Sequence, residues 1–422
     1  MTQPAVPDVL LVEVPLGGRV LVVSDLHLGP TATPTSTAAG TELAQAIDAW
    51  TGPGLVVFNG SCLELLCPGG ADARTALGAH PALVRAVKAF AVGAGRRVLY
   101  LPGARDGRTV WDAAASAAVR DLLGAEIALA VDLTIATGMG PRLVRVEPGH
   151  RLDPLTALHD PHNPAESPLG HHLVCEVLPA LGESTSVARG DRRRESWLNG
   201  LESLDDPASF PRFLASRLTY RRLGRHAWVL ALPIVAALLL RLPFAAVRRA
   251  HNSVATETRV AIFVVLVTVI GFILVGTIVA LLVRGTWKAL AGMALRGVPG
   301  DDRQDRNGPA RAEARTLVTA GHAGLITGNT RRPELTYLGS GFYANTGCAA
   351  DVVSESPARL DALGAPSLFL AQRQVSWVEL EAGSELHVRL LHSRQDLPGA
   401  TVVERLLMRR GSEMAPPTED RH

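Results

Sequence analysis

The chain has 422 residues, of which 47% are hydrophobic and 19% charged, and its formal net charge is +2. This length is enough for about two to three domains with real cores, and the hydrophobic fraction is too high for a disordered protein. A net charge so close to zero lacks the strong basic excess of a free-standing nucleic-acid-binding protein, so no nucleic acid is expected as a partner. The mean hydropathy of +0.18 favours a segment in contact with a membrane.

The first part of the chain, residues 1–225, alternates strand-like and helix-like segments. The predicted strands are Asp8–Val14, Arg19–Ser24, Leu55–Phe58 and Arg97–Leu101, and the predicted helices are Glu42–Trp50 and Pro81–Val92. This alternation is typical of an α/β fold.

Residues 226–285 differ sharply in composition and predict a transmembrane hairpin. Residues 260–283 carry no charge, and as a helix they would span about 36 Å, compared with about 30 Å for the hydrocarbon core of a bilayer. Residues 227–247 form a second hydrophobic stretch, but Arg241 and two prolines interrupt it, so a buried or interfacial helix is the alternative there. Basic residues are more frequent on the flanking arms than in the short connection, which predicts a two-pass protein of a bacterial-type inner or plasma membrane with its main domain in the cytoplasm.

Residues 286–410 are predicted to return to the same α/β domain. The segment Pro299–Arg315 is charged and expected to be mobile, and the strands predicted after it are Leu317–Ala320, Gly341–Ala344, Ser367–Leu380 and Glu385–Leu391. Residues 411–422 are polar and predict a disordered tail. The four cysteines lack C-x-x-C spacing and fit a reducing compartment.

The segment VLVVSDLHLG contains the most informative motif. A hydrophobic strand ends at Asp25 and His27, and residues i and i+2 of a strand point to the same side, so a carboxylate and an imidazole are presented together. This combination is a metal-ligand pair at the strand end, where open α/β sheets place their sites.

These residues resemble the first motif of the calcineurin-like metallophosphoesterases, the family that includes the UDP-diacylglucosamine hydrolases. The family motifs run D-x-H, G-D, G-N-H-D/E, a lone His and G-H-x-H. The corresponding segments here are VLVVSDLHLG, VVFNGSCLE, LYLPGARD, VRVEPGHRLD and TAGHAG, in that order. The resemblance implies an α/β sandwich of two mixed sheets flanked by helices, with the membrane hairpin inserted between the fourth and fifth motifs.

The resemblance implies seven metal-ligand positions, and only three of them keep a ligand. The retained positions are Asp25, His27 and His322, and the substituted ones are Ser61, Ala104, Pro148 and Gly324. Arg105 stands where the family has its catalytic histidine, and Asp106 is kept. Because a divalent ion needs about four to six donors, catalysis is expected to be lost or impaired. No metal, or one weakly bound Mn²⁺, Zn²⁺ or Mg²⁺, is expected, and a full dinuclear centre is not.

Two substitutions leave alternatives open. His150 follows Pro148 by two residues and could act as a substitute ligand together with Glu64. Arg105 could bind a phosphate group in bidentate fashion where a metal would otherwise lie. A solvated arginine paired with Asp106 is the alternative for that position.

The sequence therefore supports two functional hypotheses. The first is a binding or regulatory module for a phosphorylated small molecule or lipid headgroup, anchored to the bilayer and impaired in catalysis. The second is an active hydrolase of phosphomonoesters or lipid-linked pyrophosphates, with a metal site rebuilt from Asp25, His27, His150, Glu64 and His322.

Overall fold

A computed structural model describes most of the two parts of the chain and one helix between them. The described residues are 6–66, 72–154, 156–158, 160–167, 172, 175, 203–204, 209–225, 235, 254–294, 305–356, 358–359, 367–397 and 402–408. The predicted tail, residues 411–422, lies outside them.

The described strands and helices alternate along the first part of the chain and then give way mainly to strands. The strands are β1 Val9–Val14, β2 Arg19–Val23, β3 Gly54–Asn59, β4 Arg96–Leu101, β5 Glu126–Ile127, β6 Ala130–Thr137, β7 Gly140–Val146, β8 Gly324–Thr327, β9 Glu334–Leu338, β10 Gly341–Asn345, β11 Ala349–Ser356, β12 Leu368–Ala382 and β13 Leu386–Asp396. The helices are α1 Pro34–Asp48, α2 Ala73–Gly78, α3 Pro81–Ala91, α4 Arg108–Trp111, α5 Ala113–Leu123, α6 Phe210–Arg225, α7 Val254–Ala294, α8 Gly308–Thr319 and α9 Val402–Leu407.

The strands form two mixed sheets. The first has the order β1-β6-β7-β8-β10-β9, and the second has the order β11-β12-β2-β3-β4-β5 with β13 paired to β12. Strands β2, β3, β4 and β5 run parallel to one another. Strand β12, which pairs with the other edge of β2, is antiparallel to it. Both sheets therefore combine strands from before and after α7, and the two parts of the chain form one fold.

Apolar side chains hold the sheets together face to face. Alternate residues of β2, such as Val20 and Val22, pack against Leu133 and Val144 of the other sheet. The remaining residues of β2 face a second core formed with α1, α2, α3 and α5. Strands buried on both faces read as continuous hydrophobic runs, which is why β2, β3 and β4 were predicted closely from the sequence.

Helix α1 begins earlier than its hydrophobic pattern predicts. Thr33 caps it: the Thr33 side chain accepts a hydrogen bond from the Ser36 backbone, and the Ser36 side chain accepts one from the Thr33 backbone. The reciprocal bonds satisfy two donors that the first turn would otherwise leave without partners.

The structure differs from two predictions made for residues after α7. Residues of the predicted strand Leu317–Ala320 end helix α8, and this helix also includes much of the segment expected to be mobile. Ala310 and Ala314, four residues apart, pack with Leu317 against Leu325 and Tyr343. This helical spacing buries one face of α8 on the sheet, and that burial outweighs the strand preference of the Thr and Val residues at its end.

Of the two predicted membrane segments, residues 260–283 are helical within α7, and residues 227–247 lie outside the described part except for Val235. In the part of the chain that the structure describes, no helix combines the length and the apolar character that crossing a membrane requires.

The cysteines only partly follow the expectation of free thiols. Cys62 and Cys348 are free and buried. Cys175 is disulfide-bonded, which the sequence did not predict. Sequence spacing could not show this, because disulfide formation depends on the distance between residues in the fold.

Candidate functional site

The candidate site lies where the loops that follow β2, β3, β4, β7 and β8 meet. The Asp25 N–H donates to Gly60 O at 3.0 Å, and the His27 N–H donates to Ser61 O at 3.2 Å, so the first two loops run side by side. A Cβ atom on Gly60 would lie 2.7 Å from Cβ of Pro148, which brings the loop after β7 into the same place. The carboxyl ends of the strands thus gather the segments that the sequence placed in motifs one to four.

Asp25 is a fixed, buried carboxylate. Its Oδ2 accepts hydrogen bonds from Ser24 Oγ at 2.7 Å and from the Asn329 N–H at 2.9 Å. Its backbone is left-handed, with φ of 52°, and His27 and Ser61 have similar values of 48° and 53°. Such values are costly for residues other than glycine, and they persist where surrounding contacts determine the conformation. Burial raises the pKa of Asp25, although the positive charge of Arg331 opposes this shift.

His27 lies between two carboxylates, and its burial favours the neutral ring. Its Nε2 is 3.6 Å from Asp25 Oδ1, and its Nδ1 is 3.5 Å from Glu64 Oε2. Burial lowers the pKa of His27 to about 3, and the charges of Arg331 and Arg105 act in the same direction. The structure therefore brings the side chains of Asp25, His27 and Glu64 together, and their role as metal ligands stays a prediction.

Arg105 forms an ion pair with Glu64 and not with Asp106. Its Nη1 donates to Glu64 Oε2 at 2.5 Å, and the side chains of Arg105 and Glu64 are 18% and 31% exposed, so solvent reaches both. Burial is the largest single effect on Glu64 and opposes its ionisation, but the charge and hydrogen bond of Arg105 together with the contact to His27 outweigh burial and lower the pKa of Glu64 to about 2. Glu64 is thus a permanent anion whose charge Arg105 offsets.

Asp106 has a structural role. Its carboxylate accepts hydrogen bonds from the backbone N–H groups of Ser61, Cys62, Leu63 and Gly103 and from the Tyr100 hydroxyl. Asp106 is fully buried, and Ala104 before it is nearly so. The carboxylate thereby joins the loops after β3 and β4 and places Arg105 toward Glu64.

His150 is buried near the site but shows no link to its centre. It begins a short 3-10 turn, His150–Leu152, after the left-handed Gly149. Burial and the charge of Arg151 lower its pKa to about 4. In the part of the chain that the structure describes, no hydrogen bond or ion pair joins His150 to Asp25 or His27, so its predicted role as a substitute ligand stays a prediction.

The assignment of the fifth motif requires correction. His322 precedes β8, and its Nε2 lies 3.6 Å from Oδ1 of Asp132, a residue of β6. Asn329, which contacts Asp25, follows the other end of the same strand. Because β8 has 4 residues, the two ends are about 13 Å apart. The structure thus places His322 away from Asp25 and His27, and the expectation that it joins them as a ligand is wrong.

Gly324 also has a packing role and not that of a lost ligand. A Cβ atom at this position would lie 2.4 Å from Cε1 of Phe342 on the neighbouring strand β10. The residue is therefore glycine because the Phe342 ring fills the space.

The loop that reaches the site from β8 is Gly328–Arg331, with the sequence G-N-T-R. Its spacing matches G-H-x-H, with Asn329 and Arg331 at the two histidine positions. Arg331 is 8% exposed, and its φ is 59°. The positive charge of Arg331 acts on both Asp25 and His27. Arg331 was missed in the sequence because the fifth motif was assigned from a histidine. The apolar run LIT before Gly328 predicts a short strand that ends at this loop, and this signal could have located it.

The donors present do not fit a pair of divalent metals. Two guanidinium groups act on Asp25, His27 and Glu64, and positive charges repel a cation from the same space. Among the residues that the structure describes, no three His, Cys, Asp or Glu side chains are arranged as metal ligands. The metal content of the protein stays a prediction from the sequence.

Comparisons with known proteins give only a weak link at the level of the fold. No family model and no curated protein matches the sequence. A Vps29 single mutant from Entamoeba histolytica is similar at 9% identity and a TM-score of 0.26, over 89% of this chain and 99% of that chain. The phosphopantetheinyl hydrolase PptH from Mycobacterium tuberculosis is similar at 12% identity and a TM-score of 0.27, over 79% and 91%. At such TM-scores neither similarity carries an argument about function.

Proposed function

We propose that the chain is a metallophosphoesterase-like protein that binds a phosphorylated small molecule or lipid headgroup and has lost most or all hydrolytic activity. The observation that carries the proposal is Arg105, whose guanidinium group reaches the centre of the strand-end site and contacts Glu64 at 2.5 Å. A guanidinium group in a partly enclosed site binds phosphate oxygens in bidentate fashion.

The substitutions around Arg105 argue against metal-dependent hydrolysis. Ser61, Ala104 and Pro148 stand at three positions where the family resemblance implies ligands, and none of them carries a group that replaces a carboxylate, an amide or an imidazole. Without paired metals, no ion lowers the pKa of a water molecule or balances the charge of the phosphate.

A hydrolase with a rebuilt metal site is the second candidate. It is supported by the position of His27, whose two ring nitrogens lie 3.6 Å from Asp25 Oδ1 and 3.5 Å from Glu64 Oε2. The first candidate is preferred because Arg105 already pairs with Glu64 and offsets its charge without a metal.

We further propose that the protein contacts a bilayer through the apolar surface of α7, with the main domain in the cytoplasm; the two-pass hairpin stays a prediction from the sequence, because no helix among the described residues meets the length and apolar character of a membrane span. The support is the exposed apolar surface of α7, which includes Ile262, Phe263, Val265, Leu266, Ile273 and Leu274. Exposed apolar side chains on this scale are costly in water and favourable in contact with lipid.

Metal content and turnover, measured on the same purified sample, test the choice between the two candidates. We expect little bound metal. We also expect that any residual phosphomonoesterase or phosphodiesterase activity is unchanged by Asp25→Ala. Calorimetry in the presence of chelator should detect binding of a phosphorylated compound, and Arg105→Ala should weaken it by about 1.5 to 3 kcal/mol. Turnover that depends on Mn²⁺ or Zn²⁺ and is abolished by Asp25→Ala would establish the hydrolase instead.

A further inference from the structure

We propose that a cavity between β1 and the loop after β7 binds a small uncharged molecule, about the size of a fused bicyclic ring, with an apolar body and one hydrogen-bonding group that His150 recognises. The cavity has a volume of about 280 Å³ and lies outside the charged cluster of the candidate site. It is a second site on the chain, so this proposal does not rest on the proposed function.

The cavity lies where β1 and β6 begin and where β7 ends. Val9 of β1 is paired with Ala130 of β6, and both residues line it. The loop after β7 forms a further wall through Pro148, Gly149 and His150. The cavity is therefore built from the edge of the first sheet and the loop that follows its third strand.

Pro148 is the only link between the cavity and the candidate site among the residues discussed here. It lines the cavity, and a Cβ atom on Gly60 would lie 2.7 Å from its Cβ. The charged side chains of the candidate site are not among the described residues that line the cavity; these side chains are Asp25, His27, Glu64 and Arg105. A ligand in the cavity therefore needs a recognition chemistry of its own.

His150 supplies that chemistry. Only 8% of this residue is exposed, and its Nδ1 is buried without a hydrogen-bond partner among the described residues. Buried polar atoms nearly always have a partner, so an unpaired nitrogen on the ring of a cavity-lining residue indicates a group that the cavity receives. An imidazole nitrogen can donate or accept such a bond, according to the tautomer of the ring.

The backbone of His150 is fixed before a ligand arrives. Its carbonyl oxygen accepts hydrogen bonds from the Asp153 N–H at 3.2 Å and from Thr156 Oγ1 at 3.2 Å. Gly149 before it is left-handed, with φ of 83°, and a Cβ atom there would lie 2.9 Å from Cβ of Thr327. A wall held in this way loses little conformational entropy on binding.

The buried charges that line the cavity are already paired, which favours an uncharged ligand. Arg145 donates through Nε and Nη2 to the two carboxylate oxygens of Asp132 at 2.5 and 2.9 Å. The buried Glu147 accepts a hydrogen bond from Arg151 Nη2 at 3.1 Å. A charged ligand would lose its hydration here without gaining a free counter-charge, and this loss is costly.

The size and the other walls of the cavity define the body of the ligand. A cavity of about 150 Å³ is enough to bind benzene, so about 280 Å³ leaves room for two fused rings. Ligand pockets are mostly apolar, with a few polar groups that fix orientation. The apolar residues that line this one are Val9, Leu129, Ala130, Pro148, Leu158 and Pro161.

The test measures four bicyclic probes on the purified full-length chain by calorimetry. Indole donates one hydrogen bond, quinoline accepts one, indene does neither, and indole-3-carboxylate carries a negative charge. We expect indole or quinoline to bind at least about tenfold more tightly than indene, because the unpaired nitrogen of His150 gains a partner. Indole-3-carboxylate should bind at least about tenfold more weakly than the better of these two probes. In a chain labelled with ¹³C-histidine, that better probe should shift the ring signal of His150, which is assigned by its loss in His150→Phe.

Two pairs of variants place the binding in this cavity. Val9→Trp fills the cavity from its edge and should weaken binding at least about tenfold, whereas Leu11→Trp, at an exposed position of the same strand that does not line the cavity, should not. His150→Phe keeps a ring but removes the hydrogen-bonding nitrogens, so the better probe and indene should bind it equally. His392→Phe, at an exposed histidine of β13 in the other sheet, should keep the preference. Only chains with native circular dichroism are compared.

The outcomes decide the proposal without reference to phosphate binding at Arg105. If no probe binds, or if Val9→Trp binds as tightly as the wild type, the site is overturned. If indene binds as tightly as both indole and quinoline, or if His150→Phe keeps the wild-type preference, the role of His150 is overturned. Tighter binding of indole-3-carboxylate than of indole and quinoline contradicts the uncharged ligand class.

Discussion

The carboxylate of Asp106 organises the site without touching a ligand. It satisfies four backbone N–H groups in two loops, three in the loop after β3 and one in the loop after β4. A buried N–H group without a partner costs about 1 to 3 kcal/mol. We therefore attribute to Asp106 the stability of the two loops that its carboxylate joins.

We expect Asp106→Ala to lower the free energy of unfolding by about 4 kcal/mol or more, because several buried donors lose their acceptor at once. Urea denaturation followed by circular dichroism measures this loss. Asp121→Ala serves as the control: Asp121 is exposed and paired with Arg74, so its loss should change stability by no more than about 0.5 kcal/mol. A change of similar size in both variants would contradict the structural role of Asp106.

The buried His80 makes stability depend on pH. Burial lowers the pKa of His80 below its ordinary value of 6.5. Above pH 6.5 both the folded and the unfolded chain carry the neutral ring, but below it the unfolded chain binds a proton that the folded chain resists. Stability is therefore present above pH 6.5 and falls as the pH is lowered. The urea midpoint of His80→Gln should fall less between pH 7.5 and pH 5 than that of the wild type, and equal losses would contradict the assignment.

At the scale of single elements, helix α5 depends on its cap. Asp112 Oδ1 accepts hydrogen bonds from the backbone N–H groups of Ala114 and Ala115 at 2.9 and 3.3 Å. Replacing such a cap by alanine typically costs about 1 kcal/mol, whereas asparagine keeps an acceptor. We expect Asp112→Ala to lower the thermal midpoint measurably and Asp112→Asn to restore most of it. Two variants with the same midpoint would show that the cap contributes little.

The central strands could be predicted from the sequence because their local pattern agrees with their environment. The runs VLVV, LVVF and VLYL are buried on both faces, and the first run ends at Asp25, so the same pattern located the first motif. Strand β8 was not found because it has only 4 residues, GLIT, and lies between α8 and a polar loop. The sequence TLVTAGHAG, which leads into β8, contains a strand-like run and a histidine. Because of this histidine, the fifth motif was assigned to the segment before β8, whereas the loop that reaches the site follows β8.

Contacts between distant residues explain what sequence reasoning missed at the site. The partners of Arg105 and Asp106 depend on how the loops after β3 and β4 are oriented in the fold. Residue type alone could not show whether Arg105 pairs with Glu64 or with Asp106. Asn329 reaches Asp25 across 304 positions of sequence. Such pairings are set by sheet order, which no local pattern in these segments encodes.

For the molecule as a whole, the shared sheets restrict the topology of any membrane anchor. Strand β12 pairs with β2, and β7 pairs with β8, so the parts before and after α7 must lie on the same side of a bilayer. Reporters inserted in the exposed turns after Thr137 and after Leu338 should therefore report the same compartment. If the two-pass hairpin predicted from the sequence forms, a reporter between residues 251 and 258 reports the opposite compartment. Reporters in the first two turns that disagree would contradict the single fold, and three reporters that agree would contradict the two-pass anchor.

The order of strands also determines when the protein can fold during its synthesis. When the ribosome has made the chain only as far as α7, β2 lacks its neighbour β12 and β7 lacks β8, so each sheet has an open edge. Unpaired strand edges are prone to pair with other chains, and the long wait for their true partners prolongs that exposure. The emerging chain therefore has to be shielded, by a chaperone or by early insertion of its hydrophobic segments, until residues near 380 leave the ribosome.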